Sequence, residues 1–273
     1  MPGEARGAAL DRARRLIPPL EARLLLCNVI GISAVALAAH DDVVLTGAEA
    51  AAYADLVRRR LAGEPIAYLT GEREFYGRVF ALTPDVLIPR PETELLVDLG
   101  RAKTAGLARP RLLDLGTGSG CLAVTLACEL PRARVAAVDR SLPALRVAKD
   151  NGIRHGAAVS FFAGDWFAAV KGQFDLIVAN PPYVADGDPH LARGDPRFEP
   201  RTALAGGADG LVEIRRIVAT APAFLSSGGW LFVEHGYDQG EAVAGLMDRA
   251  GFAAVESHRD LAGIRRATGG RRG

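Results

Sequence analysis

The chain has 273 residues, of which 49% are hydrophobic, and its 33 Lys and Arg nearly balance its 32 Asp and Glu. This length suits one full α/β domain plus a smaller one, and the balanced charge excludes a general electrostatic attraction to long nucleic acids. No uninterrupted run of about 18 apolar residues predicts a membrane span, and the N-terminus lacks a basic-then-apolar targeting pattern. We therefore expect a cytoplasmic protein with no membrane partner.

The first part of the chain predicts a small helical domain. Residues 8–62 are rich in Ala and Leu at helical spacing, with breaks at Pro18-Pro19 and around residues 31–33. Thr46 and Glu49 have the spacing of a capping box, which predicts that another helix begins there. After this region, aromatic residues, glycines and prolines mix in a pattern typical of a hairpin-containing connector.

From Glu92 onward, apolar segments typical of buried strands alternate with helical patterns. The apolar segments are residues 111–115, 135–138, 159–162, 174–179, 230–233 and 252–255. This alternation predicts an α/β fold with a doubly wound, mostly parallel sheet. We accordingly divide the chain into a helical domain (residues 1–64), a connector (residues 65–91) and an α/β domain (residues 92–273).

A glycine-rich turn follows the first predicted strand and leads into a helical pattern. Its candidate ligand-binding residues are Asp114, Gly116, Thr117, Gly118, Ser119 and Gly120. Glycines allow the backbone to approach a ligand closely, and a helix N-terminus offers unpaired N–H groups. The pattern differs from both Gly-x-x-x-x-Gly-Lys-Ser/Thr and Gly-x-Gly-x-x-Gly, so a triphosphate or a dinucleotide fits poorly.

The next two predicted strands also end in polar residues. Asp139 lies about 25 residues after Asp114, close to the spacing at which an acidic side chain meets ribose hydroxyls in doubly wound nucleotide-binding folds. Asp165 and Trp166 follow the third strand. Taken alone, that pair also suits a helix N-cap followed by a core aromatic residue.

The fourth strand is followed by Asn180, Pro181, Pro182 and Tyr183. Consecutive prolines lack N–H donors and restrict the backbone, so the Asn180 side-chain oxygen and the Pro181 carbonyl can converge as two acceptors for a planar NH2 group. Tyr183 offers a flat face for stacking. An isolated Asn-Pro is also a common turn, but the three upstream motifs, each after a strand, favour a catalytic site.

The glycine-rich turn together with Asp139 resembles motif I and its partner in class I S-adenosylmethionine-dependent methyltransferases. This resemblance implies a Rossmann-like fold with S-adenosylmethionine as cofactor and S-adenosylhomocysteine as product. It also implies that Asp165 and Trp166 flank the adenine. The implied cofactor-binding residues are those of the turn together with Asp139, Asp165, Trp166 and Asn180.

A closer resemblance covers the chain from about residue 20 to the C-terminus. Residues 65–94, the segments from Pro189 to Leu204 and Glu234-His235-Gly236 resemble the peptide chain release factor glutamine methyltransferases, the HemK/PrmC family. This resemblance implies methyl transfer to the side-chain nitrogen (N5) of the glutamine in the Gly-Gly-Gln motif of class I release factors, which modulates translation termination. The sequence departs from the family pattern at residues 263–266. There the family leads us to expect Asn and an acidic residue before the arginine, and this chain has Gly263 and Ile264 before Arg265.

The resemblance also implies which residues meet the protein substrate. These are Asn180, Pro181, Pro182 and Tyr183, with Arg90 and Glu92 added from the region before the α/β domain. We expect the enzyme to be a monomer that needs no sequence-specific nucleic acid.

Two alternatives use the same motifs. An N6-adenine methyltransferase acting on DNA or RNA could hold the exocyclic amine of a flipped base between the same two acceptors. A non-catalytic S-adenosylmethionine-binding or docking module is the second alternative. Balanced charge and the family-like segments on both sides of Asn180 favour glutamine, and the intact Asp114, Asp139 and Asn180 favour catalysis.

Two features carry no function in this interpretation. The three cysteines are an odd number without a Cys-x-x-Cys pair, so we expect neither a metal site nor a redox role. The C-terminal arginines, at 265, 266, 271 and 272, predict a solvated and partly disordered tail.

Overall fold

The computed structural model describes residues 3–273, which divide into two compact units with the boundary between Glu72 and Arg73. The helices of the first unit are α1 (Arg6–Arg14), α2 (Pro19–Ile30), α3 (Ala34–Ala39), α4 (Gly47–Leu61) and α5 (Ile66–Thr70). They enclose an apolar core in which Leu25, Leu26 and Tyr53 are fully buried. The Tyr53 hydroxyl donates to the Ala22 carbonyl at 3.0 Å, so its polar end is satisfied inside the core. The small helical domain is confirmed.

Local sequence signals account for the ends of these helices. Pro19 occupies the first turn of α2, where a missing N–H costs nothing, and Gly31 ends that helix with a φ of 67°. At α4 the Thr46 side chain accepts the Glu49 N–H at 3.2 Å, and the Glu49 carboxylate accepts the Thr46 N–H at 2.7 Å. The predicted capping box is therefore present.

A β-hairpin follows the helical unit, as predicted for the connector. It consists of β1 (Glu72–Phe75) and β2 (Arg78–Ala81), joined at Tyr76 and Gly77, which both have positive φ. Phe75 and Phe80 are buried and contact each other edge to face, with ring centroids 6.2 Å apart. The division of the chain into residues 1–64, 65–91 and 92–273 stays a prediction.

The second unit alternates strands and helices. Its strands are β3 (Arg111–Leu115), β4 (Arg134–Asp139), β5 (Val159–Ala163), β6 (Phe174–Ala179), β7 (Leu225–Glu234), β8 (Ala253–Arg259) and β9 (Arg265–Arg271). Its helices are α6 (Glu94–Thr104), α7 (Cys121–Glu129), α8 (Leu142–Arg154), α9 (Arg201–Leu204), α10 (Val212–Thr220) and α11 (Gly240–Arg249). Short 3-10 turns lie at Pro91–Thr93, Pro189–Ala192, Asp195–Phe198 and Ala221–Ala223.

The seven strands form one sheet in the order β5-β4-β3-β6-β7-β9-β8, in which β3 to β7 run parallel. Successive residues of β3 point to opposite faces, so Leu112 joins one apolar core and Leu113 the other. The doubly wound, mostly parallel fold is confirmed. Since β4 lies on one side of β3 and β6 on the other, the carboxyl end of β3 is a topological switch point, where such folds bind ligands.

The prediction of a disordered C-terminal tail is wrong. Arg265–Arg271 form β9, which pairs antiparallel with both β7 and β8. Gly269 lies directly under the Phe232 ring, and a Cβ there would come within 2.2 Å of that ring. The strand therefore uses small residues to fit between aromatic side chains, and it lacks the alternating apolar residues by which a strand is recognised in sequence.

The described residues contain no helix that is both long and apolar enough to cross a membrane. All three cysteines are free thiols: Cys121 is buried on α7, whereas Cys27 and Cys128 are partly buried. Within residues 3–273 no cluster of three or more His, Cys, Asp or Glu side chains has the arrangement of a metal site.

Candidate active site

A cleft of about 260 Å³ opens at the carboxyl ends of the parallel strands. It brings together seven of the predicted site residues, which are Gly116, Gly118, Asp139, Asp165, Trp166, Asn180 and Pro182. The other predicted residues do not line it: Asp114, Thr117, Ser119, Gly120, Pro181, Tyr183, Arg90 and Glu92. Sequence reasoning did not assign the remaining lining residues, which are Pro84, Asp85, Val86, Leu87, Arg140, Ser141, Ala144, Gly164, Pro200, Thr202, Ala203 and Glu213.

The glycine-rich turn crosses the end of β4. The N–H groups of Gly116 and Thr117 donate to the Val138 carbonyl at 2.9 and 3.0 Å. Gly116 has a φ of 74°, and a Cβ at this position would lie 3.1 Å from the Trp166 ring. Glycine is thus required both by the backbone conformation and by the aromatic ring packed against it.

Asp114 supports the turn from inside the protein. Its carboxylate is buried and accepts the Thr117 hydroxyl at 2.6 Å, and burial raises the pKa of Asp114 to about 7. The Ser119 carbonyl accepts the buried Asn151 side chain at 2.9 Å, and Gly120 lies against Ala148. These residues shape the turn. Of the turn residues, only Gly116 and Gly118 line the cleft.

The Asp139 carboxylate lines the cleft at the end of β4 and is held by backbone donors. One of its oxygens accepts the Gly118 N–H at 2.9 Å, and the other accepts the Ser141 N–H at 2.8 Å. Each carboxylate oxygen has a further lone pair. A fixed carboxylate of this kind can accept hydrogen bonds from a pair of ligand hydroxyls.

Trp166 is held in place by charged side chains of α10. Its indole N–H donates to Glu213 at 2.6 Å, and Arg216 bridges Glu213 and Asp165 at 2.8 and 2.6 Å. Trp166 also has a positive φ of 49°, which is uncommon for a bulky residue. The network fixes the ring beside Gly116. Glu213 and Arg216 carried no sequence signal, because charged residues on a surface helix are common.

Asn180 also lines the cleft, and its side-chain amide is hydrogen-bonded to Thr93. Asn180 Nδ2 donates to Thr93 Oγ1 at 3.1 Å, and the Thr93 hydroxyl donates to Glu234 Oε2 at 2.7 Å. Within residues 3–273, neither Asn180 Oδ1 nor the Pro181 carbonyl accepts a hydrogen bond. Both acceptors therefore have unused lone pairs, and Asn180 also lines the cleft, whereas Pro181 does not.

Tyr183 is bound to the protein at both its hydroxyl and its backbone. Its hydroxyl donates to Glu234 Oε1 at 3.2 Å, and its carbonyl accepts the Gln239 side chain at 3.0 Å. Burial and the neighbouring Glu234 carboxylate raise the pKa of Tyr183. Its ring packs against the core beneath the sheet and is not part of the cleft lining.

Arg90 lies beside the cleft and forms an ion pair. Its guanidinium lies 2.5 Å from the carboxylate of Glu199, whose side chain is fully buried. Glu199 directly precedes Pro200, which lines the cleft. Glu92 precedes Thr93 and does not line the cleft, and its charge raises the pKa of Glu234.

The lining chemistry indicates the kind of ligand. Four acidic side chains line the cleft (Asp85, Asp139, Asp165 and Glu213), against one basic side chain, Arg140. Arg216 pairs with Asp165 and Glu213, so Asp85 and Asp139 carry the unpaired acidic charge, and this lining suits a cation better than a triphosphate. The Asp139 carboxylate can bind a ribose diol, the Trp166 ring can flank a purine, and the glycine backbone admits an amino-acid tail. These residues fit S-adenosylmethionine, which carries a sulfonium and an ammonium group.

Known proteins resemble this chain along most of its length. The model of the PrmC N-terminal domain matches residues 7–71, and the model of the methyltransferase small domain matches residues 92–194. A release factor glutamine methyltransferase of Burkholderia pseudomallei is 53% identical, with 99% of this chain and 97% of that protein covered. The relative of the same name from Bordetella pertussis is 54% identical, with 93% and 95% covered.

A solved methyltransferase structure from Pyrococcus furiosus shares the fold. It has a TM-score of 0.56 at 18% identity, and the match covers 81% of this chain and 99% of that one. Sequence identity near one half over almost the full length is decisive for the family. The chain belongs to the release factor glutamine methyltransferase family.

Proposed function

We propose that this enzyme transfers a methyl group from S-adenosylmethionine to the side-chain amide nitrogen (N5) of the glutamine in the Gly-Gly-Gln motif of class I peptide chain release factors. The observation that carries the proposal is a pair of acceptors without a hydrogen-bond partner among residues 3–273, Asn180 Oδ1 and the Pro181 carbonyl, at the position where Asn180 and Pro182 line the cleft. A primary amide has two N–H bonds to donate to such a pair. The relatives with about half of their residues identical are named for this activity.

In this proposal the cleft residues hold the cofactor. Asp139 accepts the ribose hydroxyls, Trp166 and Asp165 flank the adenine, and the backbone of Gly116 and Gly118 meets the amino-acid end. Asp114, Thr117, Ser119 and Gly120 act on the cofactor through the shape of the turn. The methyl donor, when bound, supplies an electrophilic methyl group on a sulfonium.

The protein's own part in the reaction is to position the incoming amide. An amide nitrogen is a poor nucleophile because its lone pair is delocalised into the carbonyl group. If Asn180 and Pro181 accept both N–H bonds, the nitrogen is fixed with its remaining face toward the cleft. Positioning of this kind is worth about 7 to 11 kcal/mol in favourable intramolecular reactions. Asn180 and Pro181 are neutral, so no strong base is needed, and the proton lost after attack can pass to either acceptor or to water.

The exocyclic amine of adenine would suit the same acceptor pair. Family membership favours glutamine, and the net charge of +1 gives no general attraction to nucleic acid. Incubation with isotope-labelled S-adenosylmethionine, offered either a release factor or adenine-containing DNA, separates the two. We expect label on the Gly-Gly-Gln glutamine, located by mass spectrometry, and none on a release factor in which that glutamine is replaced by alanine. Label on DNA alone would contradict the proposal.

The helical unit is proposed to select the protein substrate. Glutamine occurs throughout the proteome, so the acceptor pair alone cannot choose one residue, and a specific complex needs roughly 800 Å² on each partner. A protein truncated to start at Gly71 should still bind cofactor but lose its preference for intact release factor over a short Gly-Gly-Gln peptide. An unchanged preference would place recognition in the second unit.

Arg90 and Glu92 are proposed to act at the substrate side, Arg90 through Glu199.

The proposed substrate also bears on location and assembly. Because release factors act on ribosomes, we propose that the enzyme works in the cytoplasm. We further propose a monomer, which light scattering would test directly.

A further inference from the structure

A buried hydrogen-bonded chain lies behind the proposed acceptor Asn180. Asn180 Nδ2 donates to Thr93 Oγ1 at 3.1 Å, and the Thr93 hydroxyl donates to Glu234 Oε2 at 2.7 Å. The Tyr183 hydroxyl reaches the other carboxylate oxygen, Oε1, at 3.2 Å. Thr93 is only 3% exposed and Glu234 only 1%, so water does not compete for the hydrogen bond between them.

The direction of each hydrogen bond follows from the carboxylate. An ionised Glu234 can only accept, so the single hydroxyl proton of Thr93 must point toward Glu234. Thr93 Oγ1 then presents only lone pairs to Asn180, and only the NH2 end of that amide can face it. A flipped amide would place Asn180 Oδ1 against those lone pairs, and the Asn180 NH2 group would lose Thr93 as its acceptor.

We propose that Thr93 and Glu234 are positioning residues for methyl transfer, which orient the Asn180 amide so that its oxygen is the acceptor offered to the substrate. The inference rests on the proposed function of Asn180. Neither residue touches the substrate in this account, and both act through the Asn180 side chain. Tyr183 contributes by occupying the second carboxylate oxygen.

Protonation of Glu234 would release this orientation, because a protonated carboxyl can donate to Thr93 Oγ1 and free the Thr93 proton to turn toward Asn180. The charged or titratable groups that act on Glu234 are Glu92, which disfavours its ionisation, Arg266, which favours it, and the nearby Tyr183 and Cys121. Burial and the charge of Glu92 raise the pKa of Glu234 to about 7, against the lowering effect of the Thr93 and Tyr183 hydrogen bonds and of Arg266. The turnover number should therefore rise with pH through about 7, and Glu234→Gln should remove that rise.

Two substitutions at Thr93 separate hydroxyl chemistry from packing. Thr93→Val keeps the shape and removes the hydroxyl, whereas Thr93→Ser keeps the hydroxyl and removes a methyl group. We expect Thr93→Val to lower the turnover number about tenfold or more, Thr93→Ser to retain most of it, and cofactor affinity to stay within about twofold in both. A higher turnover number in the valine variant than in the serine variant would overturn the proposal.

Thr125→Val is a matched control. Thr125 is a fully buried threonine on α7 whose hydroxyl has no hydrogen-bond partner within the described residues. The same substitution there removes a hydroxyl from the core without touching the chain behind Asn180. We expect its turnover number to match that of the wild type.

Nuclear magnetic resonance tests the orientation independently of turnover. The side-chain amide protons of Asn180, identified by their absence in Asn180→Asp, should exchange slowly with water in the wild type and in Thr93→Ser, and rapidly in Thr93→Val. Unchanged exchange in Thr93→Val would overturn the positioning role even if methylation of the release factor is confirmed. If the wild type methylates no release factor, the proposed function fails while the exchange rates still decide the orientation. Should Thr93→Val not fold, the pH profile of Glu234→Gln decides, and a persistent rise through about pH 7 would overturn the proposal.

Discussion

Arg90 and Glu199, separated by 109 residues in sequence, form an ion pair across the side of the cleft, with 2.5 Å between the guanidinium and the carboxylate. The Glu199 side chain is fully buried, and its second oxygen has no hydrogen-bond partner within residues 3–273. Arg90 is 29% exposed and supplies the charge that compensates this carboxylate. The pair joins the segment before α6 to the segment that carries the cleft residues Pro200 and Thr202.

Arg90→Ala should destabilise the fold, since it leaves a buried carboxylate without its partner. We expect a loss of about 2 kcal/mol in the free energy of unfolding, below the value for a fully buried pair because Arg90 is partly exposed. Denaturant unfolding of Arg90→Ala, Glu199→Gln and the double variant gives the coupling energy. If Arg90→Ala costs no more than Glu199→Gln and the coupling is zero, the pair has no structural role.

Asp139→Ala should weaken cofactor binding selectively. If the carboxylate accepts both ribose hydroxyls, its loss removes charge-assisted hydrogen bonds worth roughly 1.5 to 3 kcal/mol, which weakens affinity about ten- to a hundredfold. Saturating cofactor should then recover much of the turnover rate. Calorimetry of S-adenosylmethionine binding measures the effect, and an unchanged affinity would remove Asp139 from the cofactor site.

The free energy of unfolding should fall as pH rises toward 7. Burial raises the pKa values of Glu234 and Asp114 to about 7, above their ordinary values of 4.5 and 3.8. Between the ordinary and the raised pKa, the folded protein keeps a proton that the unfolded chain has released. Stability is therefore fully present below the ordinary pKa and is lost as pH rises through the raised one.

Glu234→Gln should abolish the contribution of Glu234 to this pH dependence of the unfolding free energy. Relative to the wild type, the variant should gain stability between about pH 5 and about pH 8, by at most about 3 kcal/mol. Asp114→Asn measures the contribution of Asp114 to the same pH dependence separately. A stability difference between Glu234→Gln and wild type that does not change with pH would show that Glu234 does not titrate in this window.

Gly210→Ala should displace the segment that supports Tyr183. Gly210 has a φ of 71°, and a Cβ there would lie 2.2 Å from the Tyr183 carbonyl oxygen. We expect a loss of about 1 to 3 kcal/mol in the free energy of unfolding, with methyl transfer reduced more than cofactor affinity. Gly187→Ala is the control, because no heavy atom lies within 4 Å of its added Cβ. Equal behaviour of the two variants would contradict this packing.

The sequence predicted those parts of the molecule whose signals are local. The strand β6 matches its apolar run, residues 174–179, at both ends, because five of its six residues are apolar and buried. By contrast, β9 was missed because Thr268, Gly269 and Gly270 show no alternation of apolar residues, and the two glycines fit against the rings of Phe232 and Phe252, which are distant in sequence.

The same distinction holds for the candidate site. Asp139 ends a strand, and Trp166 and Asn180 come soon after strands, so all three could be recognised as strand-end motifs. The supporting partners could not, since Thr93 meets Glu234 across 141 residues of sequence and Trp166 meets Glu213 across 47. Contacts between such distant residues arise only when the sheet has formed, so no local sequence pattern predicts them.

The central claim is that Asn180 holds the incoming amide, and Asn180→Ala tests it most directly when turnover and cofactor affinity are measured on the same preparation. Loss of a buried acceptor costs about 1 to 3 kcal/mol, to which the loss of positioning is added. We predict that transfer to intact release factor is abolished while the dissociation constant for S-adenosylmethionine changes by no more than about fivefold. Near-normal turnover by Asn180→Ala would contradict the account.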